Sequence, residues 1–282
     1  MAKDGQKQPE YGHIKIDNVG KIYDPEGIHV VAVENFSMEI KAGEFMVIVG
    51  PSGCGKTTLL NAIAGFSNLT SGNIYLDGQI IASPKIVQKP GADRTVVFQN
   101  GSLFPWKTVI NNLIYGPVIQ NKMSRDQAVD EAREIMANLG ITRDIEDLYP
   151  GNLSSGMLRQ IEIIRALINK PKVLLMDEPF RALDSTTKSY IHEYLLEVFE
   201  MTRTSIFFIT HDLDEAIFLA DRVGIMTTRP GTLKSIINVD IPRPRGIKAL
   251  ASKKYMDYKR EAWEAVREES MKAFEAGERE LA

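Results

Sequence analysis

Gly50-Pro51-Ser52-Gly53-Cys54-Gly55-Lys56-Thr57 matches the pattern G-x-x-x-x-G-K-[ST]. A glycine-rich turn of this kind lets backbone N–H groups converge on an anion. Lys56 then has the reach to touch the β- and γ-phosphates of a nucleotide, and the Thr57 hydroxyl can hold Mg²⁺. The flanks agree with this reading. Phe45-Met46-Val47-Ile48-Val49 is a short apolar run expected to form a buried strand, and Thr58–Ala64 has the character of a helix that starts where phosphates would sit. Average usage of glycine, lysine and Ser/Thr gives about 0.01 chance matches in a chain of this length. The binding residues expected from the loop are Gly50, Pro51, Ser52, Gly53, Cys54, Gly55, Lys56, Thr57 and Thr58.

Composition narrows the setting. The chain has 282 residues, 44% hydrophobic and 25% charged, with a net charge of −3. These are ordinary globular values, and the charge gives no case for nucleic acid as a partner. Met1 to His13 is polar and lacks the apolar stretch of a secretion signal. No run approaches the ~18 apolar residues that span a bilayer. A soluble, cytoplasmic protein is expected. The single cysteine, Cys54, fits a reducing compartment. From its place in the loop, alkylation of Cys54 is expected to block ATP binding.

Strand signals occur at Ile14-Lys15-Ile16, Val30–Val33, Gly72–Leu76 before an Asp77-Gly78 turn, and Thr95–Phe98. Helical spacing covers Asp126–Leu139, Gly156–Asn169 and Thr187–Met201. Val173–Met176 and Ser205–Ile209 are dense apolar runs, as in a sheet covered on both faces. Strands alternating with helices imply an α/β fold with a largely parallel sheet. The block at about 105–170 reads as an inserted helical subdomain. After Lys248 the chain is charged and helix-prone, with Met256, Trp263 and Val266 as its packing residues.

A second motif narrows the chemistry. Val173-Leu174-Leu175-Met176-Asp177-Glu178 sets two carboxylates at a strand end. Asp177 is suited to hold Mg²⁺ through water, and Glu178 to polarise an attacking water.

The order of these motifs resembles the ATP-binding cassette (ABC) ATPases over roughly residues 14–245. Gln99 matches the family's Q-loop glutamine, which touches Mg²⁺ or the attacking water. Leu153-Ser154-Ser155-Gly156-Met157 stands where the family carries L-S-G-G-Q. Arg181-Ala182-Leu183-Asp184 resembles the D-loop. His211 matches the switch histidine that bonds the γ-phosphate, and Tyr23 the aromatic that stacks on adenine. Read as residues alone, His211 and Tyr23 also suit ordinary polar and packing roles. The resemblance implies a P-loop NTPase core with an N-terminal antiparallel β-subdomain. It also implies a homodimer in which Ser154, Ser155 and Gly156 of one copy close on ATP held by the other. By itself Ser154 reads as a helix cap.

The chain departs from the family twice. Ser155 replaces a glycine and costs about 1 kcal/mol if the site needs positive φ. Met157 replaces a glutamine. Gly101–Trp106, after Gln99, carries three large apolar residues that either fold back into the helical subdomain or form a socket for a partner helix. Leu103–Val109, Thr228–Gly231 and Ile241-Pro242-Arg243-Pro244-Arg245 resemble the nitrate/sulfonate/taurine-type importer ATPases. That resemblance implies transmembrane permease subunits on separate chains, a solute-binding protein, and a peripheral place on the cytoplasmic side of the inner membrane. Met157 also suits an exporter or lipid-trafficking ATPase. A soluble ABC ATPase without transport is the remaining alternative. The expected division is a polar segment 1–13, an ATPase domain 14–245 and a charged helical extension 246–282.

Overall fold

Five consecutive apolar residues leave a strand no solvent face, and Phe45–Val49 is buried at every position. The computed structural model describes residues 11–24, 27–86 and 89–275. The expected polar segment 1–13 lies outside them up to residue 10, as does the expected extension from residue 276.

In chain order the elements are β1 (Ile14–Tyr23), β2 (Val30–Ile40), β3 (Phe45–Val49), α1 (Lys56–Ala64), β4 (Ser71–Leu76), β5 (Gln79–Ala82) and β6 (Arg94–Val97). Helices α2 (Val109–Ile119), α3 (Arg125–Asn138) and α4 (Ser155–Leu167) follow. The chain continues through β7 (Val173–Asp177), α5 (Ser185–Thr202), β8 (Ser205–Ile209), α6 (Leu213–Leu219), β9 (Arg222–Met226), β10 (Leu233–Asn238), α7 (Ile247–Leu250) and α8 (Lys253–Glu275). They fall into two units. One joins the residues up to Gly91 with those from Arg203, and the other is Ala92–Thr202.

The first unit holds two sets of strands. One is an antiparallel sheet in the order β2-β1-β4-β5, turning at Asp77-Gly78 as the dipeptide suggests. In the other, β3 lies between β8 and β9 and is parallel to both, with Ile48 opposite Ile209 on one side and Gly224 on the other. Strand β10 adds antiparallel to β9. Parallel strands run their carboxyl ends to one edge, where loops gather.

The Ile241–Arg245 stretch proves to be a clamp. Arg245 is buried and donates to the carbonyls of Ile217, Phe218 and Ala220 at the end of α6, and to that of Ile241. A cation is favoured there because the last carbonyls of a helix carry partial negative charge. Arg243 donates to the Leu219 carbonyl and to Asp221.

Helix α8 packs on its own unit, against α6 and β9. Its buried residues are Tyr255, Ala262 and Glu269, spaced by seven. The Tyr255 hydroxyl donates to Asp214 Oδ1 at 2.9 Å, and Lys259 donates to Oδ2 at 2.8 Å. The expected packing residues Met256 and Trp263 are instead exposed. Apolar size pointed to the wrong face because the small Ala262 permits close approach, whereas indole would not.

In the second unit β6 and β7 pair in parallel, with Val97 opposite Met176, and α4 packs on β6. The helical segment expected over 105–170 lies inside this unit, together with β6, β7 and α5. Asn112 of α2 is fully buried and holds the preceding loop. It accepts from Phe104 N–H at 2.7 Å and donates to the Phe104 and Lys107 carbonyls. Phe104 is thereby packed edge-on against Tyr115 and under the Arg165 guanidinium. Trp106 is 70% exposed. The loop therefore divides the two readings of Gly101–Trp106 between its aromatics, one folded in and one left outward.

Replacing Arg245 with methionine keeps the length and removes the donors to five buried carbonyls, that of Val239 included. Urea denaturation should show Arg245→Met losing about 3 kcal/mol of stability. An unchanged midpoint would mean those carbonyls find other donors.

Candidate nucleotide site

The phosphate loop leaves β3 at Val49 and enters α1 at Lys56. Gly55 makes the entry possible. Its φ is +100°, and a Cβ there would stand 2.7 Å from the Ala32 carbonyl oxygen, so no side chain fits. No side chain caps α1. The N–H groups of its first turn thus face the loop's concavity, and the helix dipole adds positive potential there. Lys56 is buried, and its ammonium spans the loop to the carbonyls of Gly50 at 2.8 Å and Pro51 at 2.9 Å. Ammonium, helix terminus and glycine backbone together form a cradle with the charge and space for a polyphosphate.

His211 lies two residues beyond β8, as Gly50 lies beyond the Ile48 that pairs with Ile209. The parallel register therefore brings the chain at His211 out at the same sheet edge as the phosphate loop. Thr210 secures that end, its N–H donating to the Ile48 carbonyl at 3.2 Å. Asp212 caps α6 through the Asp214 and Glu215 N–H groups. Tyr23 ends β1, 38% exposed, with its hydroxyl 3.4 Å from Thr58 Oγ1 on the first turn of α1. Lys21 lies over its ring at 4.8 Å. The ring is an exposed aromatic platform beside the loop, which suits an adenine.

Strands β6 and β7 repeat the arrangement in the second unit. Gln99 lies two residues past Val97, and Glu178 two past the paired Met176. Asp177 closes β7. Glu178 has φ +43°, which is costly for a side chain of its kind. The turn sends Glu178 off the strand line, and Arg181 lies 3.6 Å from its Oε2. Asp184 caps α5, accepting from the N–H groups of Thr186 and Thr187 and the Thr187 hydroxyl. Those bonds, the hydroxyl's first, hold its carboxyl below the ordinary aspartate range.

Ser154 is the N-cap of α4, with Oγ accepting from Met157 N–H at 3.3 Å. Ser155 is the first helical residue and is not in the left-handed region. Serine therefore costs nothing of the ~1 kcal/mol that a positive φ would have imposed. Gly156 is buried against Thr187 of α5, and Met157 is half-buried.

Sequence reasoning missed what ties α4 to the Gln99 loop. Arg159 donates to the carbonyls of Phe98 at 2.8 Å and Gln99 at 3.1 Å. It also pairs with the buried Glu162 at 2.7 Å. Glu162 accepts from Ser102 N–H, and Arg165 donates to the Ser102 carbonyl. Burial pulls both guanidinium groups down from their ordinary pKa. The signal was available: charges at 159, 162 and 165, three apart, inside a helix whose other residues are mostly apolar.

Cys54 is closed off from solvent. Its side chain is 1% exposed, and burial pushes the thiol's pKa up despite the nearby Lys56. It is held as a neutral small hydrophobe rather than as a reactive thiolate.

Comparison with known proteins shows what the chain is similar to. The ABC transporter family model matches residues 33–181. The nitrate import ATP-binding protein NrtD of Synechocystis is 43% identical over 230 residues, 82% of this chain and 84% of that protein. The aliphatic sulfonates import ATP-binding protein SsuB of Bacillus cereus is 36% identical over 264 residues, 94% of this chain and 96% of that protein. A dimeric, post-hydrolysis structure of the ATP-binding cassette MJ0796 with ADP and Pi superposes with a TM-score of 0.67. It is 27% identical and covers 83% of this chain and 99% of that one.

The burial of Cys54 sets an expected reactivity. Iodoacetamide at pH 7.5 should label the native chain at least about tenfold more slowly than the urea-unfolded chain, because only the thiolate reacts and access is closed. Equal rates by mass spectrometry would show an open thiol.

Proposed function

This chain belongs to the ABC transporter family as an ATP-binding, ATP-hydrolysing subunit, and from that premise we propose that it drives import of a small anion or anionic organic solute of the nitrate or sulfonate class. The observation that carries the reading is the likeness to importer ATPases over 82% and 94% of the chain. Among the described residues no helix is long and apolar enough to cross a membrane. The proposal accordingly gives transport to permease subunits on separate chains, with a solute-binding protein as donor. This subunit would work as a peripheral protein on the cytoplasmic face.

The proposed roles follow from the chemistry of each residue. Gly50 to Thr58 hold the triphosphate through backbone N–H groups and Lys56, whose ammonium exchanges loop carbonyls for phosphate oxygens. Tyr23 stacks on adenine. Glu178 orients the attacking water and accepts its proton, while Gln99 and His211 complete the surroundings of the γ-phosphate. Two copies form the hydrolytic unit. In it Ser154, Ser155 and Gly156 at the α4 terminus of each copy meet the nucleotide of the other, and Asp184 lines the junction. A hydroxyl, a carboxylate and an amide oxygen from Thr57, Asp177 and Gln99 are the hard oxygen donors that suit Mg²⁺. That ion, when bound, would offset phosphate charge as it develops on the leaving oxygen. Fixed dipoles and charges aimed at the γ-phosphate supply the remaining stabilisation.

Glu178→Gln keeps shape and loses the base. Its steady-state hydrolysis should fall about 100-fold or more, while ATP binding persists and the variant runs as a dimer on size exclusion with ATP. Undiminished turnover removes Glu178 from the base role. The import reading is tested on the complex purified with its membrane subunits in proteoliposomes. Nitrate, alkanesulfonates and bicarbonate with the cognate binding protein should raise ATP hydrolysis selectively for one of them. Stimulation only by a lipid or an exported apolar compound would overturn it.

A further inference from the structure

The Thr227–Thr232 loop between β9 and β10 forms the back wall of the phosphate loop. It lies outside the segment that the family model matches. Gly231 approaches so closely that a Cβ would stand 2.0 Å from the Cys54 carbonyl oxygen. Its N–H donates to the Ala32 carbonyl at 3.0 Å, and its own carbonyl accepts from Glu34 N–H at 3.1 Å. Arg229 then reaches over and donates to the Gly53 carbonyl at 3.1 Å. That bond fixes the middle of the phosphate loop at a carbonyl that must point away from an anion.

The wall is itself held from behind by α8. Glu269 is 2% exposed, and its Oε2 accepts from Thr228 N–H at 3.2 Å, the residue before Arg229. Its Oε1 accepts from Lys234 at 2.8 Å and Lys272 at 2.9 Å. Lys234 also donates to the Ala265 carbonyl and to Glu268. The two lysines hold Glu268 down to about 2. A chain of direct contacts therefore runs from the last turns of α8 through Thr228 and Arg229 to Gly53.

We infer that α8 braces the phosphate loop, with Glu269 and Arg229 as positioning residues that set nucleotide affinity. A loop whose N–H groups are already aimed loses less freedom when the triphosphate binds, so its affinity depends on what holds it. The inference rests on the phosphate-loop reading of Gly50–Thr58.

The test is MgATP binding to the full chain by isothermal titration, with hydrogen exchange read over residues 50–56. Arg229→Met should weaken ATP binding about fivefold, the scale of one hydrogen bond to a carbonyl, and speed exchange in the loop. Arg229→Lys, which keeps a donor, should restore most of the affinity. Glu269→Gln keeps size and an acceptor for Thr228 while losing the lysine pairing, and should weaken binding to a similar degree. The double variant should be no weaker than about the worse single change, because both act through one loop. Parental affinity in Arg229→Met overturns the inference, as do additive effects in the double variant. If Glu269→Gln does not fold, the exposed Arg229 pair decides alone. A folded parent that binds no ATP would instead sink the phosphate-loop reading.

Discussion

The parallel pairing of β3 with β8 and β9 is the constraint from which the nucleotide-facing edge of the first unit follows. In a parallel register, residues equally far past paired positions emerge side by side. Ile48 pairs with Ile209, and Val49 with Ile225. Hence Gly50, His211 and the Thr227–Thr232 loop leave the sheet at neighbouring points. In the second unit the pairing of Val97 with Met176 brings the segments that carry Gln99 and Glu178 out at one edge, where the turn at Glu178 takes it off the strand line. The apolar runs that make these strands carry no catalytic group. They set the origin from which each candidate group is measured.

Guanidinium groups secure the loops so placed, and the pattern recurs. Arg245 holds the carbonyls that end α6, Arg159 those of Phe98 and Gln99, and Arg229 that of Gly53. Guanidinium suits the task because its several donors lie in one rigid plane and accept no bond in return. Burying such a charge costs free energy unless it is paired. Arg159 has Glu162, and Lys234 against α8 has Glu268 and Glu269. These arrangements give shape to loops that have no ladder of their own.

The departures from family pattern become simple in this setting. Ser155 sits in ordinary helical backbone, so the usual glycine is no steric necessity at that point in this copy. Met157 keeps the backbone N–H that Ser154 accepts, which is the part of residue 157 that the helix terminus uses.

What the sequence determined by itself was local. The eight residues Gly50–Thr57, the strand before them and the helix after them state a phosphate cradle, because turn, donor and lysine are all contiguous. Ser154 as a cap, Asp77-Gly78 as a turn and Asp177-Glu178 at a strand end were legible for the same reason. Tertiary structure alone decided what depends on distant chain meeting. It chose Ala262 over Trp263 for the buried face of α8, closed Cys54 off from solvent, gave Arg159 its carbonyls sixty residues away and set Arg229 against Gly53. Burial and the partner of a charge are properties of what packs against a residue, and no window of sequence contains both sides of such a contact.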